Sequence, residues 1–187
     1  MDKRVQKSKS SIINTFLEIR AKKPLEKITV TELCKKAEIN KSTFYVHYHD
    51  IYDLSEQLEK EVVDSILESI QHPEKVFETP DQFTRDLYQA YQAKNSLIQI
   101  LFADTRSMLL PQKITGAIKD LLFRMRPEYR ENPEMDICFT YQIYGGYYAF
   151  KESHQYDSAY AVSVISSLSA GYLALKKANL PEDSQRS

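Results

Sequence analysis

The sequence predicts an all-α protein of about nine helices, and three observations carry that expectation. Apolar residues recur at helical spacing through most of the 187 residues. Helix-start signals, a Thr, Asn or Asp followed by proline or an acidic residue, precede several of the apolar runs. Only four glycines occur, too few for the turns that a β-sandwich or barrel needs about every ten residues.

A first helix is expected from Val5 to about Lys22, with Ile12, Ile13, Phe16 and Leu17 at helical spacing. Pro24 stops it, because the residue before a proline is disfavoured in the αR region. Thr29-Val30-Thr31-Glu32 has the form of a capping box. The Thr29 hydroxyl can accept from the Glu32 amide, and the Glu32 carboxylate can return the bond. Val30, Leu33, Cys34 and Ala37 then share one face. Asn40 suits the N-cap of a short helix from Lys41 to about Tyr48.

Asp50 can cap a longer helix in which Ile51, Leu54, Leu58, Val62 and Ile66 keep the period until His72-Pro73. Thr79-Pro80-Asp81 starts another, with proline at the first helical position. Asn95-Ser96 reads as its break, before a short apolar stretch at 97–103. Leu110, Ile114, Ile118, Leu121 and Met125 mark a further helix, and 126–134 reads as loop. Asn132-Pro133-Glu134 opens a helix to about Glu152, and the last runs from about Asp157 to Ala178.

Composition narrows the classes. Hydrophobic residues make up 42% and charged ones 27%, with a net charge of −1, a soluble globular composition. Residues 1–50 hold eleven Lys/Arg against six Asp/Glu, and the remainder is acidic. The basic end either meets a polyanion or is simply solvated. Two cysteines, Cys34 and Cys138, cannot form a multi-bridge framework, and no secretion signal opens the sequence, so a reduced, cytoplasmic protein is expected. Residues 158–175 carry no charge, but five serines make them too polar for a membrane span.

The helices at 30–37 and 41–48 are joined by Glu38-Ile39-Asn40, a spacing that suits a helix-turn-helix. Val30, Leu33, Ala37, Ile39 and Phe44 supply the apolar contact. Lys41, Ser42, Tyr45 and Val46 remain on the outward side: a cation, two hydroxyls and an apolar group. These types serve phosphates, base edges and thymine methyls, although any helical hairpin could show the pattern.

ITVTELCKKAEINKSTFYVHYHDIYDL, residues 28–54, resembles the DNA-binding domain of the TetR family of bacterial transcriptional regulators. The resemblance covers about residues 5–66. It implies an all-α fold with three N-terminal DNA-binding helices, the helix-turn-helix lying at 29–48, and a C-terminal effector-binding and dimerisation domain at 67–187. It further implies a cytoplasmic homodimer that binds a palindromic double-stranded operator, most often as a repressor released by a small molecule. Carried residue by residue, Thr29 matches a helix-capping, phosphate-binding position, and Thr31, Lys41 and Ser42 match positions facing the groove. Thr43, Tyr45 and His47 match positions gripping the DNA backbone, with Tyr45 sometimes on a base. Phe44 and Tyr48 match buried anchors. For Tyr45 an exposed ring without partner is the plainer reading, and for His47 a structural histidine.

Two positions depart from the family pattern. Glu38 stands where glycine usually relieves a positive φ, and Ile51 where a lysine often meets phosphate. Lys3, Arg4, Lys7 and Lys9 could supply a phosphate-contacting arm or an unstructured basic tail. A protein–protein co-regulator of the same fold that has lost operator binding is the rival reading.

No enzyme, cofactor or metal site is expected. His47 and His49 diverge on a helix, Cys34 and Cys138 sit on apolar faces, and no phosphate-binding or nucleophile motif occurs. The C-terminal part is rich in aromatics. Tyr88, Tyr91, Phe102, Phe123, Tyr141, Tyr144 and Tyr148 are the candidates for an effector pocket, with Tyr147, Tyr160 and Tyr172 nearby in the sequence. Ordinary core and interface packing is the alternative. Gly145-Gly146 and the small residues Ser163, Ser167, Ala170 and Ala174 would let the last two helices approach a partner closely.

Overall fold

The computed structural model describes the backbone of residues 3–179 and the side chains of residues 5–171. The side chains of Lys3, Arg4, Tyr172 and Ala174 lie outside the described residues. Among those described, the chain is all-helical, with ten α-helices, three short 3-10 segments and no strand. The helices are α1 (Lys3–Arg20), α2 (Val30–Lys36), α3 (Lys41–His47), α4 (Ile51–Glu68) and α5 (Lys75–Glu78). They continue as α6 (Pro80–Ala93), α7 (Asn95–Leu101), α8 (Leu109–Met125), α9 (Pro133–Glu152) and α10 (Ser158–Asn179). The helix beyond the expected nine is α5, a single turn too short to show a period. Asn95 opens α7 rather than only breaking α6.

The chain forms two compact units, Met1–Asp64 with Lys94–Leu110, and Ser65–Ala93 with Pro111–Ser187. The first division lies two residues before the expected boundary at 66. The inclusion of Lys94–Leu110 in the first unit departs from the simple two-part reading. Its cause is pairing over long sequence distances. Arg20, 3% exposed, donates from Nη1 to Asp104 Oδ2 at 3.2 Å and from Nη2 to the Ala103 carbonyl at 3.0 Å. Arg106 binds the buried Glu59 of α4.

In the first unit α1 packs on α2, α3 and α7. Ile12, Phe16, Leu33, Phe44, Leu54 and Leu101 are fully buried and form its core. Removing such side chains from water supplies about 1.5–3 kcal/mol each. The helix α1 stops at Arg20, earlier than Pro24 alone requires. The amides of Lys22 and Lys23 both turn back to the Ile19 carbonyl, and Arg20 Nη1 also holds the Lys23 carbonyl at 3.1 Å. Lys7 and Lys9 lie within helical α1, and Lys9 is 3.6 Å from Glu61, so neither belongs to an extended arm.

In the second unit α6 packs along α10 and against α5, and α10 also meets α9. Asn132 caps α9 by accepting from the Met135 amide at 3.2 Å, with Pro133 at the first helical position. Asp157 does the same for α10 through the Tyr160 amide at 3.0 Å. Phe83, Ile118, Leu122, Phe139 and Ile165 form the buried interior. No helix is long and apolar enough to cross a membrane among the described residues.

Candidate nucleic-acid interface and effector cavity

The geometry of the first unit follows from its caps. Thr29 Oγ1 accepts from the Glu32 amide at 3.2 Å and starts α2. The return half of the box does not form. Both Glu32 carboxylate oxygens are instead 2.7 Å from Lys23 Nζ, and a charge-assisted bond outcompetes a neutral amide. At the other end of α2 the Ile39 amide donates to the Cys34 carbonyl at 3.1 Å, closing a Schellman motif. That closure puts Glu38 at φ 54, the left-handed position where glycine is usual. Cys34 is buried, and burial pushes its thiol up, the state of an inert core residue.

Asn40 precedes α3 in an extended conformation, and its carbonyl rather than its side chain takes the Thr43 and Phe44 amides. Phe44 and Tyr48 point inward, with ring centroids 5.7 Å apart, and anchor the helix. The opposite side faces solvent. Tyr45 is 56% and Val46 73% exposed, and Lys41 and Ser42 are exposed beside them. Thr43 and His47 are half-buried where α3 meets α1, and His47 Nε2 lies 2.9 Å from Ser8 Oγ. Val5, Ser8, Ser42, Thr43, Val46 and His47 line a shallow groove there. Thr29 and Thr31 are exposed at the start of α2.

This face can do two things chemically. Lys41 and the hydroxyls of Ser42, Thr43 and Tyr45 can bind phosphate oxygens or base edges, and Val46 can meet a thymine methyl. The first turn of α4 offers no cation. Ile51 is buried at 4% exposure, and Asp53 is the charge in that turn. Hydrogen bonds from the Gln57 side chain and then the His49 amide hold the Asp53 carboxyl below its ordinary range.

The second unit contains a cavity of about 70 Å³. Tyr88, Tyr91, Phe139, Tyr147 and Phe150 supply much of its wall, and Ile114, Ile118 and Leu122 of α8 face them. Thr84, Gln142 and Ser169 are its polar members besides the tyrosine hydroxyls, and no lining side chain carries a formal charge at neutral pH. The Phe150 ring packs against Tyr88 at 4.8 Å and edge-on to Tyr91 at 6.1 Å. Gly146 leaves room for the Tyr88 hydroxyl beside α9. A Cβ there would lie 3.2 Å from Tyr88 Oη and 3.6 Å from Ile165 Cγ2. Burial raises Tyr88 and Tyr91 above the ordinary phenol range and pushes Tyr147 to about 12, so all three hydroxyls are neutral at pH 7.

Of the sequence-predicted pocket residues, Tyr88 and Tyr91 line the cavity. The others do not. Phe102 is buried in the first unit, Phe123 lies outside the lining, and Tyr141 is 76% exposed. Tyr144 and Tyr148 stack on each other at 6.5 Å, also outside it. Phe83, Phe139 and Phe150 were missed as pocket candidates. Phe139, Ile143, Gly146 and Phe150 recur at helical spacing on α9 and could have been found that way. Aromatics on both sides of α9 hide which side is inward.

Exposed apolar residues recur at helical spacing on α9 and on α10. Ile137 and Tyr141 stand on the first, and Tyr160, Val164 and Leu168 on the second. Comparison with protein-family models, curated proteins and solved structures finds no match to the chain.

Proposed function

We propose that this protein is a DNA-binding transcriptional regulator of the TetR kind, acting as a homodimer and as a repressor that a small molecule releases. The observation that carries the reading is the two-sided character of α3. Its aromatic anchors Phe44 and Tyr48 are buried, while Lys41, Ser42, Tyr45 and Val46 are exposed on the outside. A major-groove helix uses such groups for phosphates, base edges and thymine methyls.

Pairing fits the exposed apolar residues of α9 and α10. Large apolar side chains left exposed at i, i+4 spacing on two neighbouring helices are ordinary at an interface. A twofold dimer carries two copies of α3, and both reach one duplex when they are about 34–36 Å apart. The chain crosses between its units three times, within α4, after α6 and near the start of α8. An effector held by Tyr88 and Tyr91 of α6 and Ile114 of α8 touches helices that continue directly into Lys94–Leu110. A ligand that prefers one arrangement of those helices shifts DNA affinity by its differential affinity for the two states.

The second reading, a co-regulator without operator binding, is favoured by one feature. The first turn of α4 presents Asp53 and a buried Ile51 where a phosphate-binding cation would stand. Selection of binding sites from a random duplex library separates the two readings. Enrichment of a palindrome with half-sites one or more helical turns apart supports the regulator. Retention of no sequence above background supports the co-regulator.

A further inference from the structure

We infer that the cavity of the second unit takes an uncharged, flat aromatic molecule bearing one or two hydrogen-bonding groups, and rejects ions of either sign. The inference rests on reading that unit as the effector-binding part of a regulator and names the chemistry of its ligand. The walls decide the matter. None of the lining residues is a Lys, Arg, His, Asp or Glu, so a charged ligand would leave its hydration shell without a counter-ion. The tyrosines do not supply one, because burial holds them protonated well above neutral pH.

A quaternary cation could still be held by ring faces, as in an aromatic cage. Here three of the lining rings already engage one another and one side of the cavity has no ring. Phe150 is already packed against Tyr88 and Tyr91, and the α8 side of the cavity is aliphatic. Ring edges and aliphatic walls suit the offset and edge-on contacts of a flat aromatic guest. Orientation comes from a few polar points. Thr84 Oγ1 donates to the Pro80 carbonyl at 2.7 Å and lies 3.1 Å from Ser169 Oγ, so each hydroxyl oxygen has acceptor capacity left for a guest. Gln142 offers both a donor and an acceptor.

Three nearly isosteric probes test this: indole-3-ethanol, which is neutral, indole-3-acetate, an anion, and tryptamine, a cation. The protein has no tryptophan, so indole emission reports the probe alone, and its anisotropy measures binding without DNA. The expected result is that indole-3-ethanol binds at least about tenfold more tightly than either ion. Gly146→Leu, which fills the cavity, should weaken it by at least about tenfold while the far-ultraviolet spectrum stays helical. If that variant does not fold, Thr84→Leu fills the space from α6. Ions bound as tightly as the neutral probe, indifference to a folded cavity-filling variant, or no binding at about 1 mM would each overturn the inference. Neutral selectivity in a protein that selects no DNA site would leave the cavity's chemistry standing and refute the regulator.

Discussion

Arg106 closes a two-point clasp on Glu59, with Nε 2.5 Å and Nη2 2.8 Å from the two carboxylate oxygens. Glu59 is fully buried, and Ser55 Oγ adds a third donor at 2.9 Å. The bond raises the Arg106 guanidinium further above its ordinary value. This clasp and the Arg20–Asp104 pair fasten Lys94–Leu110 into the unit that carries α3. The segment joins α6 to α8, and both helices line the cavity.

Breaking the clasp one partner at a time should be costly. Arg106→Met removes the two-point arginine clasp from a buried Glu59 carboxylate, at about 3–5 kcal/mol. The double variant Glu59→Met with Arg106→Met should recover most of the loss, because buried ion pairs add little over well-packed apolar groups. Urea unfolding of the three proteins measures both. Equal stability of the single and double variants would contradict this account.

Glu38 at φ 54 carries backbone strain that glycine does not. Glu38→Gly should raise stability by about 1 kcal/mol, and Glu38→Val, β-branched in the left-handed region, should lower it by at least as much. Thermal melts give the order. A glycine variant less stable than the parent would mean that the exposed glutamate makes a contact outweighing the strain.

Alkaline pH should weaken the fold through tyrosine. Burial pushes Tyr48 and Tyr147 to about 12 from an ordinary 10. Above pH 10 the unfolded chain gives up these protons first, so stability is full below about pH 10 and falls as pH rises towards about 12. Tyr48 Oη is also buried without a hydrogen-bond partner. Tyr48→Phe should therefore add about 1 kcal/mol at neutral pH and reduce the alkaline loss. Chemical unfolding midpoints across that pH range follow both effects.

If the protein pairs through α9 and α10 as proposed, charge placed on their exposed apolar residues should separate the two copies. Tyr141→Glu with Leu168→Glu puts like charges on α9 and α10 at positions now 76% and 69% exposed. Sedimentation should show a monomer with unchanged helix content. A variant that remains a dimer would move the interface elsewhere.

Local signals made much of the fold legible in the sequence. Asn132-Pro133 marks the start of α9, and Thr29 caps α2, because each bond involved spans three residues. What escaped was non-local. Arg20 and Asp104 are 84 residues apart and Glu59 and Arg106 are 47 apart, so nothing near Lys94 announces which unit it joins. Lys23 taking Glu32 from its capping box is a competition of the same sort. The outward residues of α3 could be read because Phe44 and Tyr48 leave one apolar side. The cavity could not, since α9 is aromatic on both sides and only contact with α6 and α10 selects Phe139 and Phe150.

The central claim, that the outer side of α3 binds duplex DNA, is tested most directly by anisotropy of a labelled selected palindrome over a series of salt concentrations. Tyr45→Ala should weaken binding by about 1–3 kcal/mol and relax sequence preference. Lys41→Ala should weaken all sequences alike and lower the slope of log affinity against log salt by about one. Both side chains are exposed, so helix content and melting temperature should not change. Wild-type affinity and wild-type salt slope in both folded variants would contradict the account.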